Sequence, residues 1–305
     1  MIGPAAALIL VVAAAELNLP DFTTLWDFAH PDSTEAAFRA LLPAARESGE
    51  ADYLAQLLTQ IARTQGLQRQ FDAAHATLDE AEAMLPQALG KARVRYLLER
   101  GRVWNTSGHP ETGKPLFLEA WDLARAEKLD GLAIDAAHMV AIVGTPDSSI
   151  AWNERAMAHA EASSDPQAKG WLGSLYNNLG WAYHDRGDHA QALPVFEKAL
   201  AWFAGQKAVD ETRIANWTVA RCLRSLGRAE EALARQEALA QEFAASGDED
   251  GYVFEEMGEC LLLLGRDAEA QPHFARAYAL LSRDEWLAAN EPARLERLKK
   301  LGEAR

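Results

Sequence analysis

One segment near the middle of the chain combines aromatic and very small residues at helical spacing. It runs from Tyr176 to Tyr183 (YNNLGWAY) and continues through Gly187, Ala192, Phe196 and Ala199. Its apolar residues recur every three to four positions, which places them on one stripe of a helix. The small residues beside the aromatic ones let a second helix approach closely. The segment therefore predicts two short helices that pack against each other and are joined by a turn at Gly187.

The same arrangement recurs along the chain, so it sets the architecture of most of the protein. Each pair of helices, A and B, is joined by an anchor residue, usually a glycine that ends helix A in the left-handed conformation. The anchors are Arg69, Gly108, Gly144, Gly187, Gly227 and Gly265. They are separated by 39, 36, 43, 40 and 38 residues. We therefore predict an all-α fold in which residues 52–282 form an array of about six helix–turn–helix units.

The units resemble tetratricopeptide (TPR) repeats, and the clearest match is the unit anchored on Gly187. The matching residues are Leu179, Gly180, Tyr183, Ala192, Phe196 and Ala199. The resemblance extends to uncharacterised bacterial TPR proteins. It implies a right-handed α-α superhelix that binds other proteins and has no enzymatic activity.

The segments on either side of the array are predicted to cap it. Residues 16–51 form an N-terminal capping segment and helix, in which Asp32–Glu35 (DSTE) is interpreted as a capping box that opens a helix to about Arg46. Residues 283–305 form a C-terminal capping helix. Residues 1–15 are either a cleaved signal peptide or a mis-assigned start, because their apolar run is too short to span a bilayer. We expect a cytoplasmic protein, with a periplasmic or secreted one as the alternative.

The charge of the chain excludes some classes of partner. With a net charge of −15 and a pI near 5.0, nucleic acid and anionic membrane surfaces are not expected as main partners. No integral membrane segment is predicted. Cys222 and Cys260 show no metal-ligand spacing and are expected to be small packing residues. No catalytic motif, metal site or cofactor is predicted.

The family resemblance also indicates which residues face the partner. In TPR arrays the concave groove is lined by helix A, at 13, 10, 6, 3 and 2 residues before the anchor; we call these positions the helix-A surface. Its candidate binding residues here are Arg63, Arg95, Arg102, Asn105, His138, Asn177, Trp181, His184, Trp217, Arg221 and Arg224. Arginine, tryptophan and asparagine are side chains that anchor peptides and carboxylates. The expected partner is a protein or peptide segment, and an acidic one would suit these arginines.

Three functional hypotheses remain open at this point. The first is a non-enzymatic interaction protein that uses the arginine- and tryptophan-bearing groove. The second is a scaffold that uses its ends or convex face, including as a homo-oligomer. The third is a small-ligand sensor or enzyme around His138, His184 and Asp185. A further interpretation, that the arginines pair with acids on neighbouring helices, would make their charge structural.

Overall fold

The computed structural model describes residues 19–303, so residues 1–15, interpreted above as a signal peptide or mis-assigned start, lie outside the described residues. Across the described range the regular structure is helical and contains no strand. The longer helices before residue 140 are α1 (Pro31–Ser48), α2 (Ala51–Leu67), α3 (Phe71–Met84), α4 (Gly90–Thr106), α5 (Pro110–Ala126) and α6 (Asp130–Ile142). The later ones are α7 (Pro146–Ala162), α8 (Pro166–Gly170), α9 (Leu172–Asp185), α10 (His189–Gln206), α11 (Val209–Ser225), α12 (Ala229–Ala245), α13 (Gly251–Leu263), α14 (Asp267–Leu281), α15 (Glu285–Asn290) and α16 (Pro292–Glu303). Two 3₁₀ helices cover Phe22–Leu25 and Leu85–Gln87. No described helix is both long and apolar enough to cross a membrane.

The chain divides into two compact units, the first ending at Met139 and the second beginning at Val140. In the first unit α2 packs on α3 and α4 on α5, and α2 also packs on α1 and α4. In the second unit the packed pairs are α9 with α10, α11 with α12 and α13 with α14, and α16 packs on α14. The predicted A and B helices are therefore present in both units.

A contact between a helix-A glycine and a helix-B phenylalanine holds three of these pairs together. A Cβ on Gly101 would lie 2.5 Å from the ring of Phe117, and a Cβ on Gly180 would lie 2.4 Å from the ring of Phe196. Both rings are almost completely buried. Gly258 and Phe274 repeat the contact in the last pair. Because only hydrogen fits between backbone and ring, glycine is required wherever the two helices cross this closely.

The anchors adopt the expected left-handed conformation, with one exception. Gly108 and Gly187 have φ of 95° and 87°, and Arg69 has a φ of 61° although it carries a side chain. The expectation is wrong at Gly144, which is not among the residues of positive φ. Proline favours an extended conformation in the residue before it. Thr145, before Pro146, is extended and caps α7 by accepting a hydrogen bond from the Ser148 N–H.

The longest interval, 43 residues, has a local explanation. The short helix α8 (Pro166–Gly170) is inserted between α7 and α9. Asp165 caps it by accepting a hydrogen bond from the Gln167 N–H. The insertion adds about one helical turn and a loop without disturbing the glycine–phenylalanine contact of the next pair.

The N-terminal segment differs from the sequence-based prediction. The capping box at Asp32–Glu35 is wrong, because α1 already begins at Pro31, whose fixed φ suits the first helical position. Thr34 instead accepts a hydrogen bond from the Asp27 N–H and donates one to the Asp27 carbonyl. Phe22, in the 3₁₀ helix, is buried edge-on against the ring of Phe38 in α1.

The other end of the array is covered by an amphipathic helix. Leu295 and Leu298 of α16 are buried, and α16 packs on α14.

Cys222 and Cys260 are free thiols buried in the core of the second unit. Burial raises the pKa of Cys222 to about 11 and that of Cys260 to about 12. Both thiols are therefore protonated, as packing residues should be.

Candidate functional site

The arginines of the first unit's helix-A surface are held by acids on the next helix A. Arg63 in α2 reaches Glu99 in α4, with Nη1 3.2 Å from Oε2. Arg102 in α4 pairs with Glu99 at 2.6 Å and also with Asp135 in α6. Burial alone would lower the pKa of Arg102, but the Asp135 and Glu99 carboxylates raise it above its ordinary value. These charges therefore form a network that joins three consecutive A helices.

Arg95 is placed differently from the other arginines. Its guanidinium lies 5.5 Å from the centre of the Phe22 ring, and within the described residues its buried Nε has no hydrogen-bond partner. Burial lowers its pKa below the ordinary arginine value.

Asn105 in α4 is half-buried. Burial also lowers the pKa of His138 in α6, which favours the neutral imidazole.

The second unit contains a similar network between α11 and α13. Glu256, which is 1% exposed, accepts a hydrogen bond from Arg221 Nη1 at 2.6 Å. It also accepts a two-pronged pair from Arg224, at 2.7 and 3.0 Å. The signs reverse at the end of the array, where Glu255 and Glu259 of α13 pair with Arg294 and Arg297 of α16 respectively. Among the described residues, the interpretation that arginines pair with neighbouring acids therefore fits Arg63, Arg102, Arg221 and Arg224.

The sequence contains a regular spacing for these pairs, and one of its two positions lies outside the five groove positions. The acids Glu99, Asp135 and Glu256 all lie nine residues before their anchors. Their partners Arg63, Arg102 and Arg221 all lie six residues before the preceding anchors. An arginine at position −6 followed, one repeat later, by an acid at position −9 is thus the sequence pattern of an inter-repeat ion pair. Position −9 was not among the groove positions, so the surface looked more positive than it is.

Aromatic side chains form a row across three A helices of the second unit. Trp181 in α9 lies 6.4 Å from Trp217 in α11, and Trp217 lies 6.3 Å from Tyr252 in α13, measured between ring centres. The indole N–H of Trp217 donates to the Tyr252 carbonyl at 3.1 Å. All three rings are only half-buried. We call these three residues the aromatic row.

Cationic groups lie against the rings of the row. The Arg221 guanidinium lies 6.0 Å from the ring centre of Trp181 and 5.5 Å from that of Trp217. Arg294 lies 5.2 Å from the ring centre of Tyr252. Cation–π contacts of this kind contribute roughly 0.5–2 kcal/mol each. A groove of about 490 Å³ runs along the row and the ion pairs beside it.

Of the three residues proposed as a catalytic or ligand site, His184 and Asp185 lie in the second unit and His138 in the first. Burial, with a smaller contribution from His189 and Arg221, lowers the pKa of His184. Its Nε2 lies 3.0 Å from the Ser225 hydroxyl, which itself donates to the Arg221 carbonyl. When the single hydroxyl proton is donated to the Arg221 carbonyl, His184 Nε2 is the donor to Ser225.

This arrangement does not suit nucleophilic catalysis. A histidine that donates to the serine cannot also remove the serine proton. Asp185 Oδ1 is 3.8 Å from His184 Nδ1, which is longer than the roughly 2.6–3.2 Å of a working hydrogen bond.

Asn177, on the same helix, is half-buried. Among the described residues, no group of three or more His, Cys, Asp or Glu side chains could hold a metal ion.

Comparisons with known proteins agree with the fold. Residues 132–203 match the family model described as tetratricopeptide repeat. The structure is similar to a signal-transduction ATPase with numerous domains, with a tetratricopeptide repeat sensor, from Pyrococcus horikoshii (TM-score 0.67, 14% identity). The match covers 90% of this chain but 42% of that protein, so this chain spans less than half its length. No curated protein sequence matches the chain.

Two bacterial structures are matched over more of their own length. The apo quorum sensor NprR of B. thuringiensis has a TM-score of 0.62 at 14% identity, over 92% of this chain and 78% of that one. The C-terminal part of a TPR repeat-containing protein from Cytophaga hutchinsonii has a TM-score of 0.56 at 14% identity, over 86% and 98%. NprR also matches in complex with its cognate peptide NprX, with a TM-score of 0.50. At these identities the similarity concerns the fold.

Proposed function

Since the chain has the fold of tetratricopeptide-repeat proteins, we propose that it is a non-enzymatic binding module that holds an extended segment of a partner protein along the aromatic row of its second unit. The observation that carries the proposal is the row itself. Three large, half-buried rings on consecutive A helices form a continuous apolar strip beside fixed charges. Rings of this kind supply most of the binding energy in many interfaces.

The spacing of the rings suits an extended chain. Residues in an extended strand rise about 3.3 Å each and point alternately to opposite sides. Every second side chain therefore recurs after about 6.6 Å, close to the 6.4 and 6.3 Å between the rings of the row. A bound segment would thus place alternate side chains against Trp181, Trp217 and Tyr252.

The charged groups beside the row would orient the partner segment and make individual polar contacts with it, more than they would attract it by net charge. Three arginines and four glutamates line the groove, so it has no net positive charge. Arg221 and Arg224 share the carboxylate of Glu256 but keep 33% and 20% of their side chains exposed. Their remaining N–H groups can donate to backbone carbonyls or to a single carboxylate of the partner. We therefore propose that ring burial provides most of the affinity and that a strongly acidic partner is not required. His184 and Asn177 would add polar contacts beside Trp181.

The first unit offers a secondary candidate surface, in which arginines take the place of a row of rings. Its candidate residues are Arg63, Arg95, Arg102, Asn105 and His138. Arg63 also lies over the stacked rings of Trp26 and Phe28, 5.9 and 5.6 Å from their centres. NprR, with the same fold, was solved with its cognate peptide, which supports peptide binding as a use of this architecture.

Selection from a displayed random-peptide library tests the proposal. We expect selected peptides to carry bulky side chains at alternate positions and to bind Trp181→Ala and Trp217→Ala at least about tenfold more weakly, since each ring contributes about 1.4 kcal/mol or more. Trp286→Ala is the matched control, because this tryptophan in α15 is 61% exposed and lies off the aromatic row. Peptides that bind all three variants as they bind the wild type would contradict the proposal.

The scaffold hypothesis predicts a different result. It requires dimers in sedimentation that persist when Trp181 and Trp217 are both replaced by alanine. If such dimers form and the library yields no peptide, self-association replaces peptide binding as the proposed function.

A further inference from the structure

An apolar cleft of about 390 Å³ lies in the second unit, between the start of α11, the end of α12 and the start of α13. Ile214, Phe243 and Val253 contribute to its lining, together with Trp217 and Tyr252 of the aromatic row. Ile214 is 61% exposed, so the cleft leaves a large aliphatic side chain in water. Its volume falls in the range of about 300–1,000 Å³ that is typical of sites for small molecules and anchoring side chains.

The charged groups at the mouth of the cleft are predominantly acidic. Asp210 and Asp250 contribute to the lining. The Asp210 side chain is 88% exposed and its Oδ1 lies 3.8 Å from Arg213 Nη1. Asp250 Oδ1 accepts hydrogen bonds from the Tyr252 and Val253 N–H groups at the start of α13. Arg213, also in the lining, is paired with Glu242 at 2.7 Å and packs on the Phe243 ring at 4.6 Å. The lining itself holds two carboxylates and one guanidinium, and Glu242 beside it adds a third carboxylate, so this region carries a net negative charge.

We propose that this cleft receives a large apolar side chain of the partner protein, flanked in the partner's sequence by lysine or arginine. The apolar lining accounts for the central side chain, and the acidic mouth accounts for the flanking charges. An apolar residue flanked by acids would instead bring like charges together, which opposes binding. The partner segment is therefore basic around its anchor.

The position of the cleft connects it to the proposed binding surface. Trp217 and Tyr252 belong both to the aromatic row and to the cleft lining. A segment lying along the row can therefore turn one side chain into the cleft at the N-terminal ends of α11 and α13. In this respect the inference rests on the proposed function and names the chemistry of the partner.

Four short synthetic peptides provide the probe. They share a Gly/Ser background and differ in the central residue, Phe or Ala, and in the flanking residues, Lys or Glu. Binding to the full chain is followed by NMR through the Ile214 methyl groups and the Trp217 indole N–H, which report weak as well as tight binding. We expect the Lys-flanked Phe peptide to shift both signals, and the Glu-flanked Phe and both Ala peptides to bind at least about tenfold more weakly.

Three variants locate the site. Phe243→Ala should weaken the Lys-flanked Phe peptide about tenfold, and Asp210→Lys should weaken it while strengthening the Glu-flanked one. Asp122→Lys, at an exposed carboxylate in α5 of the first unit, is the matched charge control and should change nothing. Asp210 is exposed and Phe243 half-buried, so both variants should fold, which circular dichroism verifies.

The outcomes separate this inference from the proposed function. Equal binding of Lys- and Glu-flanked Phe peptides, or no shift with any peptide, overturns the cleft assignment. Trp181 is not part of the cleft lining, so the short peptide should bind Trp181→Ala as it binds the wild type. Library peptides that lose affinity on Trp181→Ala but not on Phe243→Ala would uphold the proposed function and overturn the inference.

Discussion

The two units differ in part in what they place six residues before the anchor. Six residues before the anchor, the first unit has Arg63 and Arg102, both paired with acids of the next helix A. The second unit keeps such an arginine in α11, where Arg221 pairs with Glu256, but in α9 it has Trp181 at that position, facing Trp217 of α11. The first arrangement connects helices through desolvated charge, and the second connects them through rings that remain partly exposed.

This difference separates side chains that hold the repeats together from side chains that are available to a partner. Glu99, which receives both arginines, is 4% exposed, so its hydrogen-bonding capacity is already used within the protein. The half-buried rings of the aromatic row still have apolar area that a partner can cover. The conspicuous charges of the helix-A surface therefore serve mainly to hold repeats together, whereas the aromatic row is the better candidate for binding.

The largest expected effect follows from removing the shared acid of the first unit. Glu99→Ala leaves Arg63 and Arg102 facing each other without their common carboxylate. Breaking a buried ion pair from one side costs roughly 3–5 kcal/mol. We expect a loss of this size in the free energy of unfolding, measured by urea denaturation followed by circular dichroism.

Two further variants sharpen the comparison. Glu99→Gln keeps the side-chain shape and should cost less than Glu99→Ala. Trp181→Ala, at the aromatic position, should cost less than the roughly 3–5 kcal/mol of a fully buried tryptophan, because the ring is half-exposed. If Glu99→Ala is no more harmful than an ordinary surface substitution, the view that charge holds the first unit together is wrong.

The sequence predicted the fold well because the packing pattern lies within each unit, whereas each charge pair joins two neighbouring units. The glycine–phenylalanine contact fixes positions such as Gly180 and Phe196 in every clear unit, so periodicity alone revealed the helix pairs. The arginine partners depend on a second offset one repeat further on, position −9, which has to be compared between neighbouring units rather than within one. Gly144 and the supposed capping box were mispredicted because a neighbouring proline, Pro146 or Pro31, decides the backbone there.

The second prediction concerns the contact that both units share. Gly101→Ala in the first unit and Gly180→Ala in the second place a methyl group within 2.5 Å of a buried ring. Such overpacking costs about 1–3 kcal/mol, because the phenylalanine or the helix must shift. We expect losses of similar size in both variants. A loss in only one of them would show that the two units do not rely on the same packing element.

Gly205→Ala is the control for these two substitutions. Gly205 lies in α10, and a Cβ there would meet nothing within 4 Å. Gly205 lies in the last turn of α10 and has no positive φ, and alanine is the better helix former in such a backbone. This variant should therefore unfold at the same or a higher urea concentration than the wild type.

The smallest expected effect has opposite signs at two anchors, Arg69 and Gly187. Arg69, the first anchor, adopts a φ of 61°, whereas Gly187 adopts 87° without a side chain. The left-handed conformation costs a residue with a Cβ roughly 1–2 kcal/mol, and glycine loses about 0.5–1 kcal/mol of that advantage through its greater freedom when unfolded. Arg69→Gly should therefore raise the free energy of unfolding by about 0.5–1 kcal/mol, and Gly187→Ala should lower it by a similar amount.

The Arg69 side chain also contributes a contact, which a third variant isolates. Its guanidinium lies 5.6 Å from the centre of the Phe71 ring, a contact worth roughly 0.5 kcal/mol at an exposed site. Arg69→Asn removes this contact but keeps a residue that tolerates the left-handed region. If Arg69→Gly is stabilising and Arg69→Asn is close to neutral, backbone conformation decides the anchor. If both destabilise equally, the arginine is retained for its contact with Phe71, and the first anchor differs in kind from the glycine anchors of the second unit.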